Sequence, residues 1–299
     1  MLLDDYQKRV EELLHKARDT QRENVIKAGT MIADSIEQGG NIYLSGICHA
    51  IEMDLINRGG GPTFYRKFAW KLDITENNAR QRDRSDLDTN MEGLAAYALK
   101  ASSMRPGDVL FVGSVSGRTK AVVDLAVEAK KMGIKVIAFT SLEYAKSVDP
   151  VHSSGKKLHE IVDLAIDNCA PSAEGMMTVE GIEAPYAAAS GIASDYLLWS
   201  ITSVAVDELM KRGKTPGILK SANFPGGNDY NLNELQPHYQ KYGWEKIIGK
   251  QKAVRVELLF SMSNKMKKCI QNVQNDFRSY NRQDKYKRTI KRNHESYII

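Results

Sequence analysis

The chain has 299 residues, 42% of them hydrophobic, and a formal charge of +5 at pH 7, which suits a well-buried α/β core in one large domain or two smaller ones. Cys48, Cys169 and Cys269 lie far apart, which excludes a disulfide framework and a zinc-type spacing. The N-terminus has no apolar leader-like run and no stretch approaches membrane-spanning length, so a cytoplasmic protein without a membrane partner is expected.

Taken in chain order, residues 2–38 have helical spacing. Leu3, Tyr6, Val10, Leu13, Leu14 and Ala17 form one face, and Val25, Ile26, Ile32, Ala33 and Ile36 continue it after Asp19-Thr20. A helical hairpin ending at Gly39-Gly40 is expected, suited to packing or dimerisation. No basic reader helix follows, which argues against a helix-turn-helix regulator. Asn41–Ser45 reads as the first strand. Gly46–Ala50 then turns into a helix running to about Asn57, broken by Arg58-Gly59-Gly60-Gly61-Pro62. Residues 71–89 are polar, and Glu92–Ser103 is helical in pattern.

Residues 108–141 carry the clearest signal. Asp108–Gly113 is a short apolar run, Lys120–Met132 has helical spacing closed by Gly133, and Ile134–Phe139 is a second apolar run. This is a right-handed βαβ unit. Its first loop holds Ser114, Ser116, Gly117 and Thr119. One hydroxyl suffices to cap a helix, so three around a glycine point to an anion site of the phosphate type. The loop is neither a P-loop nor a dinucleotide fingerprint, and Val115 occupies the centre where a nucleophile elbow needs serine. A strand near Val162–Ile166 follows, then a long connection over 168–188 and an apolar helix over Ser190–Lys211.

Residues 241–299 hold 15 Lys/Arg against 5 Asp/Glu, so the basic excess belongs wholly to this tail. A solvated or disordered extension fits its composition, with a helical stretch open over Val254–Val273, and a nucleic-acid partner is not expected.

The run V-G-S-V-S-G-R-T, followed by a helix and I-K-V-I-A-F-T-S, resembles the SIS (sugar isomerase) domain. His152–Leu158, Asp163–Asn168, Ser221-Ala222-Asn223 and Gly226-Gly227 resemble its UPF0309 subgroup of bacterial proteins. The resemblance spans about residues 1–243 and leaves 244–299 as a basic extension. It implies a doubly wound, mainly parallel α/β sheet, a flavodoxin-like three-layer sandwich with N-terminal helices. It also implies a homodimer that binds a phosphosugar, with Ser114, Ser116, Gly117 and Thr119 gripping the phosphate.

Ligands of such sheets bind at the carboxyl ends of strands, where Ser45, His49 and Ser141 also fall, close enough to reach the sugar. Aldose–ketose isomerisation needs a base to move a proton between carbons and an acid for ring opening and oxygen protonation. Glu52 and Asp54 are the candidate bases. Asp54-Leu55-Ile56-Asn57-Arg58 is similar to the E-L-x-x-R context of the family's heptose-phosphate isomerases, with aspartate in the glutamate's place. Those enzymes carry a partner histidine on a late helix. Ser190–Lys211 has none, which leaves His49, His152 and His159 as substitutes. In the subgroup the first turn resembles G-x-G-H-S, whereas Cys48 and Ala50 stand here beside the retained His49. The resulting expectation is a phosphosugar isomerase that needs no redox cofactor, with no metal-ligating residues assigned and metal dependence left open. A phosphosugar sensor, and a lyase or etherase acting on an amino-sugar phosphate, are the alternatives.

Overall fold

The computed structural model describes residues 1–49, 51–56, 58–73, 83, 85 and 92–237. The end of the helix expected at Asn57, position Ala50, most of the polar stretch 71–89, the boundary at 243, the basic tail and the helix over Val254–Val273 lie outside the described residues.

A long helix α1 (Leu2–Glu37) leads into β1 (Ile42–Ser45), a 3-10 turn (Ile51–Asp54) and β2 (Tyr65–Lys67). Then come α2 (Leu94–Ala101), β3 (Val109–Gly113), α3 (Lys120–Lys131), β4 (Lys135–Thr140), α4 (Leu142–Lys146) and β5 (Leu164–Asp167). A hairpin of β6 (Gly175–Met177) and β7 (Tyr186–Ala188) precedes α5 (Ser190–Lys211). Strands β1 to β5 form one parallel sheet in the order β2-β1-β3-β4-β5. This is the doubly wound, flavodoxin-like order, and its connections reverse direction between β1 and β3.

The strands are apolar on both faces because helices cover both. Side chains alternate across the sheet. Ile42, Leu44, Val109, Phe111, Ile137 and Phe139 face α1 and α5. Tyr43, Leu110, Val112, Val136 and Ala138 face α2 and α3. Phe111 and Phe139 are fully buried, and each such side chain contributes about 1.5–3 kcal/mol. On the first face α1 packs along α5. A Cβ on Gly29 would fall 2.5 Å from Val204 Cγ1, so glycine permits that approach.

Four readings from sequence change. The expected helical hairpin is one continuous helix, because the Thr20 hydroxyl donates to Lys16 O at 2.8 Å and the Asp19-Thr20 pair stays helical. The expected helix after β1 shrinks to the 3-10 turn. Cys48 (φ +33°) and His49 (φ +66°) take up the chain in left-handed backbone before it starts. The long connection over 168–188 contains the β6–β7 hairpin. Strand β2, unread in the sequence, joins the sheet edge, where Phe68 N donates to Leu44 O at 2.9 Å. After α5 the chain returns to this edge, with Gly60 N donating to Leu219 O at 2.7 Å and Thr63 N to Gly217 O at 3.0 Å.

Candidate functional site

The carboxyl ends of β1 and β3 meet where the sheet reverses its winding. Ser45 pairs in register with Val112, so the loops that follow start side by side. A Cβ on Gly113 would fall 2.8 Å from Cys48 N and 2.9 Å from Ile47 Cα. The glycine therefore lets the first loop lie directly on the start of the second.

The second loop is a tight turn, with Gly117 N donating to Ser114 O at 2.9 Å and Ser116 at a central position. Gly117 has φ +69°, which favours glycine. Ser141 N donates to Val115 O at 2.8 Å and Leu158 N to Gly117 O at 2.8 Å, pinning the loop to its neighbours. Ser114 Oγ lies 2.9 Å from Thr119 Oγ1, and the two hydroxyls form a pair. Thr119 is the N-cap of α3 but makes no side-chain capping bond. Ser114 Oγ thus bonds the Thr119 hydroxyl and also accepts from Thr119 N at 3.5 Å. Ser114 is buried, Ser116 half-buried and Thr119 exposed.

Ser141 is not a free hydroxyl. Its side chain is buried, donates to Ala170 O at 2.6 Å and accepts from Tyr144 N at 3.0 Å. This commitment caps α4 and ties the loop after β5. Ser45 is half-buried at the end of β1.

The three expected acid–base groups have different surroundings. Glu52 is buried, and its Oε2 accepts from Ile47 N at 3.1 Å, closing the first loop on itself. Asp54 is held at both oxygens, by an ion pair from Arg58 to Oδ1 and by Trp199 Nε1, which donates to Oδ2 at 3.1 Å. His49 is exposed, with Nε2 3.8 Å from Glu174 Oε1. Glu174 itself has φ +75°, and Ala173 before it φ +64°. Left-handed non-glycine residues cost about 1–3 kcal/mol each and collect at functional sites. Among the described residues, five of the six lie in the loops after β1 and β5, the sixth being Ala187. Asn168 joins those loops, donating from Nδ2 to Ser194 Oγ at 3.3 Å and to Cys48 Sγ at 3.6 Å. Burial pushes the Cys48 thiol up to about 11, so it stays neutral at pH 7.

The other histidines stand apart. His152 is buried beside α2 and α3, with Nε2 3.7 Å from carboxylate oxygens of Glu92 and Asp124. His159 lies behind the hydroxyl-rich loop, where a Cβ on Gly117 would fall 3.8 Å from its Nδ1. Among the described residues, no group of three or more His, Cys, Asp or Glu side chains is arranged to hold a metal ion. Sequence reasoning missed Trp199, Glu174 and Asp195. A signal existed for two of them, since Asp195 and Trp199 stand four apart on α5 and share a face.

A separate groove of about 500 Å³ runs between α1 and α5, lined by Arg18, Arg22, Ile26, Tyr196 and Asp207 among others. Among the described residues no helix is long and apolar enough to cross a membrane.

Residues 5–141 match the family model of the SIS domain. The chain is 31% identical over 244 residues to a UPF0309 protein of Shouchella clausii, covering 79% of this chain and 96% of that relative. A UPF0309 protein of Streptomyces avermitilis is 33% identical over 228 residues, covering 73% of this chain and 88% of the relative. Among solved structures, a phosphoheptose isomerase from Neisseria gonorrhoeae is similar at 15% identity with a TM-score of 0.45, covering 69% of this chain and 96% of that one. The sheet order, the hydroxyl-rich loop and the two UPF0309 relatives agree: the chain belongs to the UPF0309 family of SIS-domain proteins.

Proposed function

We propose that the protein binds a phosphorylated sugar at the β1/β3 edge and interconverts its aldose and ketose forms by proton transfer, as a cytoplasmic homodimer. The observation that carries this reading is the Ser114–Thr119 hydroxyl pair at the start of α3, where the Thr119 side chain makes no capping bond. Hydroxyls and free amides at the positive end of a helix suit a phosphate dianion. Ser116 completes that cradle, Gly117 supplies the left-handed turn that lets it form, and Ser45 lies toward the sugar.

Glu52 is the better base of the two candidates. Asp54 has both oxygens engaged by Arg58 and Trp199, whereas Glu52 is engaged at Oε2 through one backbone N–H. Glu52 takes the proton from the carbon next to the carbonyl and returns it to the neighbouring carbon. Asp54, held by its two partners, fixes the turn that carries Glu52. His49, exposed next to Glu174, assists ring opening.

The test is a thermal-shift and turnover screen with ribose 5-phosphate, arabinose 5-phosphate and glucose 6-phosphate, using Ser116→Ala as control. A ligand at a hundredfold excess over its Kd stabilises by about 2.7 kcal/mol. A shift lost in Ser116→Ala, with aldose converted to ketose by the wild type, supports the reading. Binding without conversion would make the protein a sensor. No shift with any sugar phosphate overturns the proposal.

A further inference from the structure

Isomerisation through an enediol needs two proton carriers, one at carbon and one at oxygen. Helix α5 has no histidine for the second role. It does present Asp195, one turn before Trp199 on the same face. That face meets the 3-10 turn, because Trp199 Nε1 donates to Asp54. The preceding residue, Ser194, accepts from Asn168 at 3.3 Å, and Asn168 also reaches Cys48 in the first loop. Asp195 thus stands on α5 between Ser194, tied through Asn168 to the first loop, and Trp199, tied to the 3-10 turn that carries Glu52.

The surroundings of Asp195 and Asp54 are opposites. Asp54 receives a guanidinium and an indole N–H. Asp195 has a buried Oδ1 with no hydrogen-bond partner. Burial pushes the Asp195 carboxyl above its ordinary range, with Arg58 opposing the shift.

We infer that Asp195 is the second proton carrier, serving the oxygens of the substrate while Glu52 serves its carbons. The inference rests on the isomerase reading above. In the forward step Glu52 removes the C2 proton, the C–H pair forms the C1=C2 bond, and the carbonyl π pair moves to O1. O1 takes the proton of Asp195, giving a neutral enediol. Asp195 then accepts the O2 proton as C2=O forms, and C1 recovers the proton held by Glu52. Both carboxyls end as they began.

The experiment compares wild type, Asp195→Asn and Asp195→Glu with the same three sugar phosphates, reading kcat, KM and binding of inorganic phosphate. Asp195→Asn lowers kcat by about 10²-fold or more, with KM and phosphate affinity within threefold of wild type. Asp195→Glu restores part of the loss and shows that a carboxyl, not the shape, is required. An Asp195→Asn protein with kcat within threefold of wild type overturns this role and leaves the isomerase reading standing. A rise in KM at unchanged kcat also overturns it. A wild type that turns over none of the three overturns both.

Discussion

The Trp199 indole N–H donates to Asp54 Oδ2 across 3.1 Å, joining the last long helix to the turn after β1. The two residues are 145 apart in sequence, and this bond with the Arg58 ion pair fixes the turn that carries Glu52. Trp199→Phe keeps an aromatic ring and removes the donor. Hydrogen bonds to charged groups contribute about 1.5–3 kcal/mol, and partial exposure of Asp54 places the expected loss near the lower bound. At about 2–4 °C per kcal/mol for a chain of this size, melting falls by roughly 3–5 °C. An unchanged melting temperature would show that Arg58 alone holds Asp54.

The Ser114–Thr119 pair separates anion binding from helix capping. Losing an N-cap bond costs about 0.5–2 kcal/mol. Thr119 makes no such bond, so Thr119→Val removes only its hydrogen bond to Ser114, about 0.5–1.5 kcal/mol, and lowers melting of the free protein by roughly 1–6 °C. The same substitution removes a donor facing the ligand and weakens inorganic phosphate and glucose 6-phosphate about tenfold, as loss of one charge-assisted bond does. Calorimetric titration beside a melting curve reads both. A large drop in melting with unchanged phosphate affinity would return the hydroxyls to a capping role.

Much of this architecture is legible in the sequence, and the exceptions have identifiable causes. The β3–α3–β4 unit is bounded by Gly107, Gly113 and Gly133, and its apolar spacing matches the elements formed. Helix α5 has the bounds its apolar pattern marks. Strand β2 is three residues long, and two of them, Arg66 and Lys67, are charged. Only pairing with β1 makes it a strand. Asp19-Thr20 looks like a helix start, yet Thr20 bonds back to Lys16 within one helix. The hydroxyl loop announces itself because its residues are contiguous. The Asp54–Trp199 contact and the position of Asp195 do not, because they arise when α5 folds over the first loop. Trp199 also sits at an apolar position of that helix, where packing explains it equally well.

Gly29 tests the contact between α1 and α5. A methyl group there would lie 2.5 Å from Val204 Cγ1 and 3.0 Å from Ala205 N, and backbone cannot yield as a flexible side chain can. Helix propensity favours alanine over glycine by about 1 kcal/mol, while overpacking costs about 1–3 kcal/mol. Clash dominates, so Gly29→Ala lowers melting by roughly 2–6 °C. Gly29→Ala combined with Val204→Ala removes the struck methyls and recovers part of the loss. Higher melting in the single variant would show that the helices are not pressed together at this point.

The free energy stored at Asp195 has a sign that a folding experiment reads without any substrate. Burial raises the carboxyl above its ordinary value in the folded chain. The folded state therefore binds the proton more tightly than the unfolded state does. The contribution to stability is fully present below the unfolded value, near 3.8, and is lost as pH rises through the higher folded value. At pH 7 the unfolded carboxyl is charged, whereas the folded chain must either bind a proton or bury a charged Oδ1 without a donor, and the fold carries that cost. Asp195→Asn removes the charge, so its melting temperature exceeds that of the wild type at pH 7. Solvent screening of a group this exposed holds the gain to about 1–2 °C. Below pH 3.8 both proteins present an uncharged side chain and the difference closes. Melting curves across pH 3 to 8 decide the matter. A variant less stable than wild type at pH 7 would mean that the carboxylate is held by a favourable contact. A residue kept at a cost to stability while its neutral isostere melts higher is what a working acid requires.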